Sequence, residues 1–148
     1  MIFLEIAYGS EAFHQECELR HRVLRVPLGL SLYHEDLSQE RDQTHFGLFD
    51  GGTLVACVIA VTLSPTTAKI RQMAVIGESQ RLGCGRRIIA NLEAHLARRG
   101  IVHLSMHARL TAVGFYQKLG YARTGPEFIE VGIPHVRMEK HLAQISTQ

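Results

Sequence analysis

The sequence predicts an α/β fold, a mixed and largely antiparallel central sheet flanked by helices. Its first half alternates β-rich runs with tight-turn residues, which is the pattern of antiparallel hairpins. Its second half runs strand, glycine loop, helical pattern, strand, and such a unit adds a parallel step with a helix on one face.

Residues 2–7 read as a first strand. From Glu11 to about Arg25, Phe13, Leu19, Val23 and Leu24 recur among charges as on an amphipathic helix, which Pro27 and Gly29 end. Residues 31–43 are polar, with Glu35, Asp36, Glu40 and Asp42, and suit a surface loop or short helix. The runs 45–49 and 54–63 are strands joined through Asp50-Gly51-Gly52, a hairpin signal because glycine accepts the positive φ of tight turns. Ser64-Pro65-Thr66-Thr67 makes a second turn, and residues 68–75 form a third strand. Ile88, Ile89, Leu92 and Leu96 follow helical spacing, with Gly100 at the C-cap position. Residues 102–106 are a strand. Ala112, Phe115, Tyr116 and Leu119 share a face of another helix closed by Gly120, and 121–124 and 135–139 are the last strands.

A chain of 148 residues fits one domain, 1–148, with a sizeable core. Hydrophobic residues at 46% and charged residues at 20% fit a globular protein rather than a disordered one. No apolar run approaches the ~20 residues that span a bilayer, so no membrane partner is expected. The start, Met1-Ile2-Phe3-Leu4-Glu5, reads as a strand rather than a signal peptide, and a cytoplasmic location is the expectation. Cys17, Cys57 and Cys84 are far apart with no C-x-x-C, so reduced thiols are expected rather than disulfides or a zinc knuckle. A formal charge of +2 does not suggest a nucleic-acid partner, and no recognition motif is present. Arg81, Arg86, Arg87, Arg98 and Arg99 crowd together in sequence as a local anion-facing patch.

The segment from Met73 to Arg87 carries the chemistry. Gly83 and Gly85 strip side chains where a ligand would approach the backbone. The helix that follows begins with unpaired N–H groups and about half a positive charge from its aligned dipoles. Together these suit a phosphate or pyrophosphate, with Arg81, Arg86 and Arg87 at the rim. A P-loop would need Lys-Ser or Lys-Thr, and a dinucleotide fingerprint would need glycine where Ile88 stands. Taken alone, the loop is as readily an ordinary tight turn as a phosphate site.

Gln80-Arg81-Leu82-Gly83-Cys84-Gly85 resembles motif A of the GNAT superfamily of N-acetyltransferases, Gln/Arg-x-x-Gly-x-Gly/Ala. Met73-Ala74-Val75 resembles that superfamily's splayed strand. Ala112-Val113-Gly114-Phe115-Tyr116-Gln117-Lys118-Leu119-Gly120-Tyr121 resembles its A-x-x-F-Y-x-x-L-G-[FY] segment. The likeness spans roughly residues 10–140, and two spaced motifs in the right order are more specific than either alone. Leu19–Leu24 and Val131-Gly132-Ile133-Pro134-His135 are similar to a group of small bacterial members. The resemblance implies the GNAT (acyl-CoA N-acyltransferase) fold and acetyl-CoA as co-substrate, with no metal. It implies that the backbone of Met73, Ala74 and Val75 pairs with the pantetheine arm. It further implies that amides of Leu82–Arg87 hold the pyrophosphate, with Gln80, Arg81, Cys84 and Phe115 also in the coenzyme site. Two departures stand out: Arg109 occupies a position where many members have Asn, and the strand Lys69-Ile70-Arg71-Gln72 lacks the glutamate some members use as base.

The implied reaction is direct attack of a primary amine of a small molecule or peptide on the acetyl thioester. Presenting a lysine-like amine neutral at pH 7 costs roughly 4–5 kcal/mol, so a base must take its proton. Thiolate departure, with a parent pKa of about 8.5, needs only a modest acid. The resemblance suggests Tyr116 as that acid, with packing against Phe115 as its alternative role. His107 and His135 are the base candidates, because imidazole titrates near neutrality, although most of the 9 histidines must be bystanders. His103 and His107 have metal-like spacing, but on a strand they stand roughly 13 Å apart, too far to share an ion. Glu35, Asp36, Glu127 and Glu130 either line an acceptor site or are solvated surface charges. A second functional reading is an acyl-CoA-binding sensor that keeps the fold without catalysis. A homodimer is compatible with the sequence, which leaves the acceptor open.

Overall fold

The computed structural model describes residues 1–80 and 82–143, with Glu78 and Gln80 described by their backbone alone. One sheet carries seven strands in the order β1-β2-β3-β4-β5-β7-β6. These are β1 (Ile2–Ile6), β2 (Thr44–Asp50), β3 (Thr53–Ser64), β4 (Thr67–Val75), β5 (His103–Arg109), β6 (Ala122–Glu130) and β7 (Ile133–His141). Every neighbouring pair is antiparallel except β4 and β5, which run parallel. The helices are α1 (Glu11–Arg20), α2 (Gly77–Gln80), α3 (Cys84–Arg98) and α4 (Val113–Lys118). No described helix is long and apolar enough to cross a membrane. This is the mixed, helix-flanked sheet that the sequence predicts.

Local chemistry explains the pieces. Ser10 caps α1 by accepting a hydrogen bond from Phe13 N at 3.2 Å. Gly51 and Gly52 both take positive φ, 55° and 85°, in the two-residue loop between β2 and β3. β3 is buried continuously from Leu54 to Ala60 because both of its faces are covered. Ala56, Val58 and Ala60 join Ile88, Ile89 and Leu92 of α3 in one core cluster. Leu54 and Cys57 join Phe13, Cys17 and Leu19 of α1 in another. Full burial of each large aliphatic side chain contributes about 1.5–3 kcal/mol, so the two clusters fix both helices to the sheet.

Three features differ from the expectation. β6 and β7 are about twice the expected length and meet in the Val131-Gly132 turn, so the strand that holds His135 already begins at Ile133. Gly125 and Pro126 fall in an irregular stretch of β6 between Thr124 and Phe128. β6 is an edge strand, where a residue without an N–H is tolerated. The first helix stops at Arg20 and continues as one π-helical turn, His21–Arg25. Finally, residues 31–43 carry short 3-10 helices at Leu32–His34 and Ser38–Asp42, in keeping with the expected loop or short helix, but the segment is not purely solvated. Arg20 donates to Glu16 at 2.9 Å and to both carboxylate oxygens of Glu40 at 2.8 and 2.6 Å, and His45 Nδ1 lies 2.9 Å from Glu16. All four side chains are buried. Glu16, Glu40 and His45 gather in the manner of metal ligands, but the Arg20 guanidinium is the cation among them.

Candidate active site

The parallel pairing of β4 with β5 joins Thr67–Ile70 to His103–Met106 and ends there. Beyond it, β4 continues beside β3 to Val75, and β5 continues beside β7 to Arg109. A cavity of about 410 Å³ lies between them, with Ile70–Met73 on one wall and Met106–Arg109 on the other. The opening has a local cause. The β3–β4 register shifts between Cys57 and Ile59, and Gln72 adopts φ 54°, so β4 is bulged where it parts from β5.

At the end of β4 the chain reaches the glycine loop. Gly83 caps α3 in the left-handed region, φ 72° and ψ 24°, which explains a glycine there. Leu82 N donates to Ser79 O at 3.1 Å, and Arg87 N makes the first internal bond of α3, to Gly83 O at 3.0 Å. Both amides are therefore used within the chain, which narrows the expected anion-binding set to those of Gly83, Cys84, Gly85 and Arg86. Gly85 has a different reason to be small. A Cβ there would meet Phe115 Cζ at 3.2 Å and Val75 Cγ2 at 3.6 Å, so β4, α3 and α4 converge on it. The Cys84 side chain is buried in the core, which leaves only its backbone for a ligand. Arg86 and Arg87 are exposed beside these amides. Arg98 and Arg99 lie at the other end of the 15-residue helix, roughly 18 Å away, so the expected arginine patch is divided. Gln80 ends α2, its side chain undescribed, and Arg81 lies outside the described residues.

Tyr116, on α4, lines the cavity and is 7% exposed. Its hydroxyl donates to the Met73 thioether at 3.7 Å, across to β4. Burial raises its pKa well above the ordinary phenol value, so it stays protonated at neutral pH. Its ring meets Phe115 edge-on at 5.1 Å, so packing and a polar role coexist.

The two base candidates come together. His107 Nδ1 lies 2.9 Å from Glu130 Oε1, and His135 Nε2 lies 3.7 Å from Glu130 Oε2. His135 Nδ1 donates to Ile133 O at 2.9 Å, which leaves Nε2 directed at the carboxylate. All three residues line the cavity that holds Tyr116. Glu35 lines it too, as the ion-pair partner of Arg25 at 2.6 Å. The other acids lie elsewhere: Asp36 is exposed and accepts from Ser38 N, and Glu127 pairs with Arg123. His103 pairs with Glu139 at 3.3 Å, so His103 and His107 serve different carboxylates.

A family model for the acetyltransferase (GNAT) domain matches residues 28–142. The chain belongs to this family. The uncharacterized N-acetyltransferase YitI of Bacillus subtilis is 30% identical over 137 residues, covering 84% of this chain and 89% of YitI. The uncharacterized protein YyaT of the same strain is 37% identical over 78 residues, 53% of each chain. The chain thus spans about half the length of YyaT and of a second curated relative from that strain. A crystal structure of aminoglycoside 6′-N-acetyltransferase complexed with coenzyme A has the same fold, with a TM-score of 0.79 at 17% identity over 99% of this chain and 100% of that one.

Arg109, at the position where many members have Asn, donates from Nη2 to Leu24 O at 2.8 Å and ties the end of β5 to the π-helical turn. Arg25, Lys69, Arg71 and Gln72 also line the cavity, and sequence reasoning did not single them out. The alternation Lys69-Ile70-Arg71 was a usable signal, since it puts two cations on one face of a strand whose other face is core.

Proposed function

We propose that this GNAT chain transfers the acetyl group of acetyl-CoA to a primary amine by direct attack. The observation that carries the reading is the divergence of β4 from β5 beside the amide-bearing start of α3. An extended pantetheine arm fits the gap as an added strand would, and its diphosphate fits the amides of Gly83–Arg86. The amine nitrogen then bonds to the thioester carbon, the C–S bond breaks, and the phenol of Tyr116 protonates the departing thiolate. The proton lost by the amine goes, directly or through water, to the His107–Glu130–His135 cluster in the same cavity.

Isothermal titration with acetyl-CoA, followed by a thiol-release assay over a panel of amines, tests the proposal. Binding with release supports it; binding without release for any amine supports the sensor reading instead. Gly83→Val, which forces a branched residue into the left-handed region beside the amides, is expected to weaken acetyl-CoA binding about tenfold or more. An unchanged dissociation constant removes the loop from the site. For the base, His107→Gln and His135→Gln are expected to lower kcat/KM by about 10²-fold in at least one case and to displace its acid limb. The cluster must be unprotonated to act, so wild-type activity falls as pH falls; an acid limb unchanged in both variants assigns proton removal elsewhere.

A further inference from the structure

The charge of the cavity bears on the acceptor. Arg25, Lys69, Arg71 and Arg109 line it against two carboxylates, Glu35 and Glu130. Glu35 is engaged by Arg25, and Glu130 faces two imidazoles. Among the described residues, no carboxylate lies within ion-pair distance of Lys69, Arg71 or Arg109. Among the described residues, Arg71 is held by the Gln43 amide oxygen at 2.7 Å, and Arg109 by a backbone carbonyl. Burial lowers the pKa of Lys69, Glu130 opposes this, and Arg71 and Arg137 reinforce it. Burial and then Arg25 lower that of Arg109. Half-buried cations lacking counter-charge are costly, and an oxyanion among them offsets the cost.

These cations are also set apart from the diphosphate site. Arg71 and Val75 are four residues apart on one strand, roughly 13 Å. In the same wall, the Gln72 side-chain oxygen is buried with no hydrogen-bond partner among the described residues, and it offers an acceptor for an N–H group.

Resting on the transferase reading, we infer that the acceptor is a small amine that also carries an oxyanion, a carboxylate or a phosphate, seated on Lys69, Arg71 and Arg109. Polycationic amines are disfavoured by the same charges.

The test is thiol release from acetyl-CoA with matched amines, glucosamine 6-phosphate against glucosamine and L-leucine against L-leucinamide. The anionic member of at least one pair is expected to have a kcat/KM about tenfold or more above its neutral counterpart. The first pair reports phosphate and the second carboxylate. Arg71→Gln and Lys69→Gln are expected to erase that preference while leaving the acetyl-CoA dissociation constant within about twofold. Release that is equal within both pairs, or fastest with spermidine, overturns the acceptor assignment and leaves the transferase standing. Variants that weaken acetyl-CoA binding with preference intact overturn it too, by assigning these cations to the coenzyme. No release with any amine, despite acetyl-CoA binding, overturns the transferase reading and the acceptor assignment with it.

Discussion

Tyr116→Phe is expected to lower kcat by about 10²-fold or more while leaving acetyl-CoA affinity nearly unchanged. The substitution keeps the ring, and so its edge-on contacts with Phe115 and Tyr121 at 5.1 and 5.8 Å. It removes only the hydroxyl, which reaches across the cavity to the Met73 sulfur. A buried phenol with a raised pKa keeps its proton at neutral pH, so it stands in the cavity as a donor and not as a base. The loss should therefore fall on the step that expels the thiolate, and kcat and kcat/KM should drop together. Single-turnover kinetics with a reactive amine is the measurement. A variant with near-wild-type turnover takes the acid role away from Tyr116.

The second large effect is on stability. Arg20→Met is expected to destabilise the fold by about 3–5 kcal/mol, because Glu16 and Glu40 then remain buried without their cation. A urea-derived unfolding free energy lowered by less than a quarter of that would mean that the network is not closed by Arg20. The same network has a pH signature through His45. Burial alone would lower its pKa, but the hydrogen bond and charge of Glu16, with help from Glu40, raise it above the ordinary 6.5. The stability contributed by protonated His45 is complete below 6.5 and is lost as pH rises through the higher folded value. The wild-type midpoint should therefore decline as pH rises above 6.5, and His45→Gln should flatten that decline.

Much of the fold was legible because hydrophobic period and turn chemistry are local. Ile88, Ile89, Leu92 and Leu96 announced α3, and Asp50-Gly51-Gly52 announced the hairpin. What stayed hidden depends on partners distant in sequence. Glu40 read only as part of a polar segment because its partner Arg20 is twenty positions away, on α1. The full length of β6 was hidden by Gly125-Pro126, which an edge strand absorbs. In the site, Tyr116 and the glycine loop were visible as motifs. The meeting of His107, His135 and Glu130 was not, because it requires the β5–β7 pairing and the β6–β7 turn together. The role of Lys69 and Arg71 was not legible, because it takes the folded chain to bring Arg25 and Arg109 of other elements into the same cavity.

The parting of β4 from β5 separates two kinds of recognition. A coenzyme arm laid against β4 would be read by peptide groups, whose positions survive most substitutions, and its acyl end would meet side chains on the far wall. Lineages descended from such a scaffold can retune their choice of amine by exchanging residues on β4, β5 and the β6–β7 turn without rebuilding the coenzyme cradle. Diversity of acceptors on an unchanging donor is what this architecture permits.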